Sequence, residues 1–227
     1  MPLDSVITQD LPTFVTHLEC SMTGQRYQAD QVHGLSEVGR PILVRYDLDR
    51  LGRAITKEAL AARREGGFWR FREFLPLRRG ANVVTLGEVT TPLAALPRIA
   101  GRLGLGAGEI IVKEEGRLPT GSFKARGLAL AVAMAKELGL TNLAMSTAGN
   151  AGAAMAAYAA RAGLKSTVFC PDDAPEAMIS EIEIQGATIY RVNGLINDCG
   201  KIVGDGKAAA GWFDCSTLKE PYRIEGK

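Results

Sequence analysis

Short apolar segments alternate with longer helical ones from about residue 81 onward. Runs rich in β-branched residues predict strands at 82–86, 109–113, 142–146, 166–170, 187–192 and 212–216. The segments between them predict helices at 122–138, 150–162, 175–185 and 195–209. This order predicts an α/β fold with a parallel sheet and right-handed crossovers. A glycine near each helix end predicts a left-handed cap there: Gly139, Gly163, Gly186 and Gly211.

The first 80 residues have a different pattern. The stretch "HLECSMTGQRYQADQVHG" is rich in turn residues and short strands, and "TKEALAARREGGFWRFREFL" has the pattern of a charged amphipathic helix. We expect an N-terminal extension to the α/β unit.

Composition places the chain among ordinary globular proteins. Of its 227 residues 46% are hydrophobic and 23% charged, with a net charge of +2. No apolar run is long enough for a membrane span, and the N-terminus lacks a secretory pattern, so we expect a cytoplasmic protein. The basic residues are scattered, which argues against a nucleic-acid partner. The cysteines lie far apart, which predicts reduced, mostly buried thiols.

A lysine lies at an unusual place in the turn "RLPTGSFK". Thr120, Gly121 and Ser122 have the pattern of a helix N-cap, which puts Lys124 in the first helical turn. The helix dipole disfavours a cation there by some tenths of a kcal/mol, roughly, so the pKa of the amine should fall. A neutral amine is a nucleophile that forms an imine with an aldehyde. The alternative is an amine that simply extends into solvent.

Two phosphate-binding motifs do not fit. A P-loop requires its lysine directly after the second glycine, but Ser122 and Phe123 intervene here. A dinucleotide fingerprint after the strand 142–146 fails because Thr147 stands at the first glycine position. The turn "STAGNAGAA" nevertheless opens a helix whose free N–H groups suit a carboxylate or phosphate. We expect this turn to lie beside the lysine turn at one edge of the sheet.

Several motifs in register resemble a known enzyme family. "LPTGSFKARG" resembles the lysine motif, and "STAGNAG" the asparagine loop, of fold-type-II pyridoxal-phosphate enzymes. "GFWRFREFLPL", "TLGEVTTPLAALPRIAGRLG" and "DCSTLKEPYRIEGK" add a closer resemblance to the threonine synthase family over nearly the whole chain. The resemblance implies a fold-type-II enzyme with parallel sheets and flanking helices, and pyridoxal 5'-phosphate as cofactor.

The family's residue roles carry over by position. Lys124 would attach the cofactor aldehyde and move protons, and Asn150 would bond the phenolic oxygen of the cofactor ring. The resemblance assigns the substrate carboxylate to the turn after the second strand, with residues Thr147, Ala148, Gly149 and Ala151. Ser122 would assist, and Lys219 and Arg223 are candidates for the substrate phosphate, although both read equally well as surface charges.

The family reaction converts O-phospho-L-homoserine and water into L-threonine and phosphate. Protons leave the α and then the β carbon, phosphate leaves the γ carbon, and water adds at the β carbon. Homodimers are expected for the full-length enzyme. The alternatives are another fold-type-II enzyme, such as a threonine or serine dehydratase or a cysteate synthase, and an inactive half-chain.

The chain departs from the family pattern at three places. Of four cysteines that form zinc knuckles in some members only Cys20 is present, which predicts a degenerate, metal-free zinc-ribbon-like region. Val89 replaces an expected glycine, which predicts strain if φ is positive there. The family also continues beyond "EPYRIEGK" for a further half-length that holds the cofactor phosphate and ring nitrogen. The resemblance therefore implies a partial sequence with an incomplete larger domain.

The predicted domain division follows from these patterns. The N-terminal extension covers 1–80, the first part of the larger domain 81–120, the smaller α/β domain 121–216, and the return to the larger domain 217–227.

Overall fold

A computed structural model describes residues 10–64 and 66–227. The strands are β1 (Val15–Cys20), β2 (Arg26–Tyr27), β3 (Ile42–Tyr46), β4 (Leu93–Ala95), β5 (Ile111–Lys113), β6 (Asn142–Ser146), β7 (Lys165–Pro171), β8 (Thr188–Val192) and β9 (Phe213–Asp214). The α-helices are α1 (Leu48–Ala54), α2 (Lys57–Ala61), α3 (Pro97–Arg102), α4 (Lys124–Glu137), α5 (Asn150–Ala162), α6 (Glu176–Ile184), α7 (Ile196–Ala210) and α8 (Pro221–Glu225). Single 3-10 turns or short 3-10 helices cover Phe68–Phe74, Gly80–Asn82, Glu115–Arg117 and Pro119–Gly121.

A parallel sheet forms the centre of the α/β part, with strand order β8-β7-β6-β9. The predicted bounds of β6 and α5 match the structure, and the other predicted helices differ from it by one or two residues at an end. The predicted glycine caps are also confirmed, since φ is positive at Gly139, Gly163, Gly186 and Gly211. Helix and strand alternate here because each element is encoded by its own local pattern.

Helix α4 is buried along almost its whole length. Residues 127–135 are all buried, so the helix has no solvent face except at its ends. Its alanine-rich surface packs against α5, and the same apolar cluster includes Leu18 and Ile42 of the N-terminal sheet. The lysine at the start of α4 is therefore attached to a fixed element of the core.

Two predicted strands do not join the parallel sheet. Residues 83–86 form no strand; Trp69 Nε1 donates a hydrogen bond to the Val84 carbonyl at 3.1 Å, so a side chain takes the place of a neighbouring strand. The strand predicted at 109–113 is shortened to β5, and it pairs antiparallel with β4 rather than joining the parallel sheet. Both strands of this β4–β5 ribbon are exposed along their length. Two other predicted elements are shorter than expected: the strand at 212–216 is reduced to β9, and the amphipathic helix in "TKEALAARREGGFWRFREFL" is reduced to α2 and the 3-10 helix Phe68–Phe74.

The N-terminal region forms an antiparallel sheet of order β2-β1-β3. The zinc-ribbon-like part of the prediction finds no support: Cys20 Sγ donates to Ser36 Oγ at 3.2 Å, and no group of three metal-binding side chains occurs within residues 10–64 and 66–227. All four cysteines are buried free thiols, as predicted. None of the helices in the described part of the chain is long and apolar enough to cross a membrane.

Candidate active site around Lys124

The lysine turn begins α4 without a side-chain N-cap. The N-cap residue is Phe123, not one of the residues 120–122 predicted for it, and it makes no capping bond. The buried Ser122 instead accepts a hydrogen bond from the backbone N–H of Lys124 through its Oγ, at 3.2 Å. Lys124 is the first residue of α4, so it lies in the first helical turn, as predicted.

The surroundings of the Lys124 amine lower its pKa. Its Nζ lies 4.6 Å from the centre of the Phe123 ring, and no carboxylate pairs with it in the part of the chain that the structure describes. Partial burial lowers the pKa of Lys124, and the positive charge of Arg223 lowers it further. Both effects increase the fraction of nucleophilic amine at neutral pH.

Arg223 is buried, which corrects its interpretation as a surface charge. The residue is 2% exposed, and its Nη1 donates to the Cys215 carbonyl at 2.5 Å. Its buried Nε has no hydrogen-bond partner among the described residues, and no carboxylate there forms an ion pair with it. Glu220 and Asp214 attract the guanidinium without forming an ion pair, so a ligand anion at the free Nε would offset more of the cost of its burial.

Close backbone packing holds Arg223 beside the lysine helix. A Cβ atom added to Gly127 of α4 would lie 2.7 Å from the Arg223 carbonyl oxygen, and one added to Gly226 would lie 2.7 Å from the Arg126 carbonyl oxygen. Glycine at both positions lets α4 and α8 approach closely. Glu220 caps α8 by accepting from the N–H groups of Tyr222 and Arg223.

The asparagine turn follows β6 directly. Thr147 is buried and its Oγ1 accepts from the N–H of Gly149 at 3.2 Å, while Ala148 and Asn150 are exposed. Gly149 is the N-cap of α5 and provides no side-chain cap, so the N–H groups of the first helical turn, that of Ala151 included, lack a capping side chain. This turn can hold a carboxylate or a phosphate.

Gly152 fixes this turn against the rest of the fold. An added Cβ would lie 2.6 Å from Thr147 Cγ2 and 2.8 Å from Ile182 Cδ1. The residue must therefore lack a side chain.

The lysine and asparagine turns are brought together by helix packing. The segment Pro119–Gly121 contacts α5, and α4 packs along α5. The expectation that neighbouring parallel strands would align the two turns is wrong, because β5 does not belong to the parallel sheet. Lys219 is only partly buried and makes no contact with the turn at Lys124 that the structure records.

A polar network that sequence reasoning missed anchors the start of α4. Arg126 donates to both carboxylate oxygens of Glu115, at 2.6 and 2.8 Å, and Thr91 donates to the same carboxylate at 2.8 Å. Nearby, the buried Tyr158 hydroxyl of α5 donates to Glu88. The sequence signal for this network was Tyr158, a single tyrosine within the alanine-rich helix α5.

The strain expected at Val89 is not found. The left-handed residue of the loop that carries Glu88 is Gly87, with φ at 84°, and Val89 has no positive φ.

Comparisons with known proteins show the family of the chain. The family described as pyridoxal-phosphate dependent enzyme matches residues 84–227, which include both turns. Threonine synthase of Methanocaldococcus jannaschii is 32% identical over 92% of this chain and 51% of that protein. Threonine synthase of Halalkalibacterium halodurans is 37% identical over 69% of this chain and 44% of that protein. The chain thus spans about half the length of the curated relatives it matches.

Solved structures share the fold. Apo diaminopropionate ammonia lyase of Escherichia coli superimposes with a TM-score of 0.56 at 23% identity, over 63% of this chain and 46% of that one. A pyridoxal 5'-phosphate-dependent aspartate racemase superimposes with a TM-score of 0.52 at 29% identity, over 61% of this chain and 43% of that one. The family match covers more than half of the chain and includes the lysine and asparagine turns, so the chain belongs to the pyridoxal-phosphate dependent enzymes.

Proposed function

We propose that the protein is a threonine synthase, which converts O-phospho-L-homoserine and water into L-threonine and phosphate. The observation that carries this proposal is Arg223, a buried guanidinium without a carboxylate partner in the described chain, beside the Lys124 amine. A buried guanidinium with a free Nε, beside the residue that would attach the cofactor, suits a substrate with a phosphate group. The neutral side chains of serine and threonine, by contrast, would offer no anion to the free Nε of Arg223.

The residues around Lys124 fit the cofactor of the family. An amine with a lowered pKa and no paired carboxylate in the described chain suits attachment of an aldehyde. Asn150, exposed at the start of α5, would bond the phenolic oxygen of the cofactor ring. When bound, pyridoxal phosphate draws electrons from the α carbon of an amino acid, so that a proton can leave it.

The chain's own groups would then bind the substrate and move its protons. The N–H groups at the start of α5, with Thr147, Ala148, Gly149 and Ala151, would hold the substrate carboxylate. The Lys124 amine would accept the proton from the α carbon and return it later, since a lowered pKa lets it act as both base and acid.

Arg223 would act at the other end of the substrate. It would hold the phosphate group and balance its charge as that group leaves the γ carbon. Ser122 would help to position Lys124, because its Oγ accepts a hydrogen bond from the backbone N–H of Lys124.

A second candidate is another reaction of the same enzyme class. The structural neighbours include a lyase and a racemase, which favours keeping a threonine or serine dehydratase or a cysteate synthase as the alternative. We further expect a homodimer in the cytoplasm for the full-length protein.

Phosphate release from O-phospho-L-homoserine tests the proposal. The full-length gene product, loaded with pyridoxal phosphate, should form one phosphate per threonine. Arg223→Gln should raise the KM for this substrate by roughly tenfold or more, because one charge-assisted contact contributes about 1.5–3 kcal/mol. Lys219→Gln is the matched control and should change KM little. Deamination of threonine without phosphate release would support the second candidate and refute the first.

A further inference from the structure

Thr120, in the turn before Lys124, has a backbone conformation that threonine rarely adopts. Its φ is 57° and its ψ 23°, in the left-handed region. For a β-branched residue this conformation costs about 1–2 kcal/mol relative to the right-handed one. The next residue, Gly121, is left-handed as well but has no side chain to strain. A glycine at position 120 would therefore form the turn more easily.

The side chain of Thr120 adds a second cost. Its Oγ1 is buried and has no hydrogen-bond partner among residues 10–64 and 66–227. A buried hydroxyl without a partner costs about 1–3 kcal/mol. Valine has the same shape without that cost, so neither the turn nor the packing around it explains a threonine here.

Thr120 lies close to the groups of the candidate site. Its turn contacts α5, which begins at the asparagine turn, and it lies four residues before Lys124. Lys124 and the buried Arg223 supply positive charge at the site, and the acids recorded near them already have partners: Glu115 accepts from Arg126, and Glu220 from backbone N–H groups. A ligand bound there carries anionic oxygens, and a hydroxyl can donate to such an oxygen in a short, charge-assisted bond.

We propose that Thr120 is a ligand-binding residue whose hydroxyl donates a hydrogen bond to a carboxylate or phosphate oxygen of the molecule bound beside Lys124. This inference rests on the proposed function, since it needs a ligand at that site. The oxygen belongs either to the cofactor phosphate or to the substrate. The strained turn holds the hydroxyl in place before the ligand arrives, so little freedom is lost on binding.

Thr120→Val removes the hydroxyl and keeps the shape and the β-branched strain. We expect the variant to be more stable than the wild type in urea unfolding, because it lacks the unpartnered hydroxyl. Its ligand affinity should fall by roughly tenfold to a hundredfold, the equivalent of one charge-assisted bond. Thr120→Ser keeps the hydroxyl, and its affinity should stay within about threefold of the wild type.

Two titrations of the full-length gene product identify the oxygen. One follows pyridoxal 5'-phosphate by its absorption band, and the other follows O-phospho-L-homoserine added to the loaded protein. If Thr120→Val binds pyridoxal 5'-phosphate more weakly, the contact is with the cofactor. If it binds the cofactor normally but O-phospho-L-homoserine more weakly, the contact is with the substrate. Unchanged affinity in both, or a loss of stability in Thr120→Val, would overturn the inference. If the wild type fails to bind O-phospho-L-homoserine but Thr120→Val weakens cofactor binding, the proposed function fails and the inference stands.

Discussion

Replacement of Gly127 by alanine tests the close approach of α4 and α8. In an open helix interior, glycine to alanine stabilises by about 0.8–1 kcal/mol through helix propensity. At Gly127 the new Cβ would lie 2.7 Å from the Arg223 carbonyl oxygen and 3.2 Å from Arg223 Cγ. Because the first atom belongs to the backbone, α8 must move, and overpacking of this kind costs about 1–3 kcal/mol. The net change should be between neutral and a loss of about 2 kcal/mol.

Gly204→Ala is the matched control, because Gly204 lies inside α7 with nothing within 4 Å of an added Cβ. This variant should gain about 0.8–1 kcal/mol, so the two free energies of unfolding should differ by about 1–3 kcal/mol. Urea denaturation followed by circular dichroism measures both. Equal stabilisation of the two variants would refute the close helix approach and, with it, the placement of Arg223 beside Lys124.

Two further predictions concern buried charges. Glu115→Gln should lower the free energy of unfolding by about 1–3 kcal/mol, since it breaks a partly buried, two-point bond to Arg126. Glu114→Gln is the control, because Glu114 pairs with Arg117 at the exposed surface, and it should change the free energy of unfolding by no more than about 0.5 kcal/mol. Urea denaturation measures both variants, and equal losses would contradict the assigned role of Glu115. Burial raises the pKa of Glu220 from 4.5 to about 7, so the folded protein keeps a proton there that the unfolded chain releases. The stability contributed by that proton should therefore decline as pH rises from about 4.5 to 7, and Glu220→Gln should remove this part of the pH dependence; superimposable pH profiles would count against a buried, titrating Glu220.

Local patterns predicted the α/β part of the chain well. The bounds of α5 follow from an alanine-rich helical run between an uncapped turn and Gly163, and β6 from a short apolar run. Such elements depend on neighbouring residues alone, so the sequence suffices to place them. The lysine turn was likewise recognisable from its residues.

Contacts between distant segments escaped prediction. The burial of Arg223 depends on a five-residue helix, too short for a periodic pattern, packing against Gly127 much earlier in the chain. The absence of the strand predicted at 82–86 goes with a hydrogen bond from the Trp69 side chain to the Val84 carbonyl. No local pattern reports which backbone group a distant side chain will reach.

The β4–β5 ribbon places two apolar strands at the surface of the described chain. Leu93 and Ile111 are 67% and 57% exposed, and neither strand pairs with a third one in the part of the chain described. Exposed apolar strands with unpaired edges can form hydrogen bonds with strands of other molecules, which leads to self-association and precipitation. We therefore expect the β4–β5 ribbon to lower the solubility of the purified chain. Replacement of Leu93 and Ile111 by charged residues should reduce this precipitation. A binding assay on that variant would then report cofactor binding and not the loss of soluble protein.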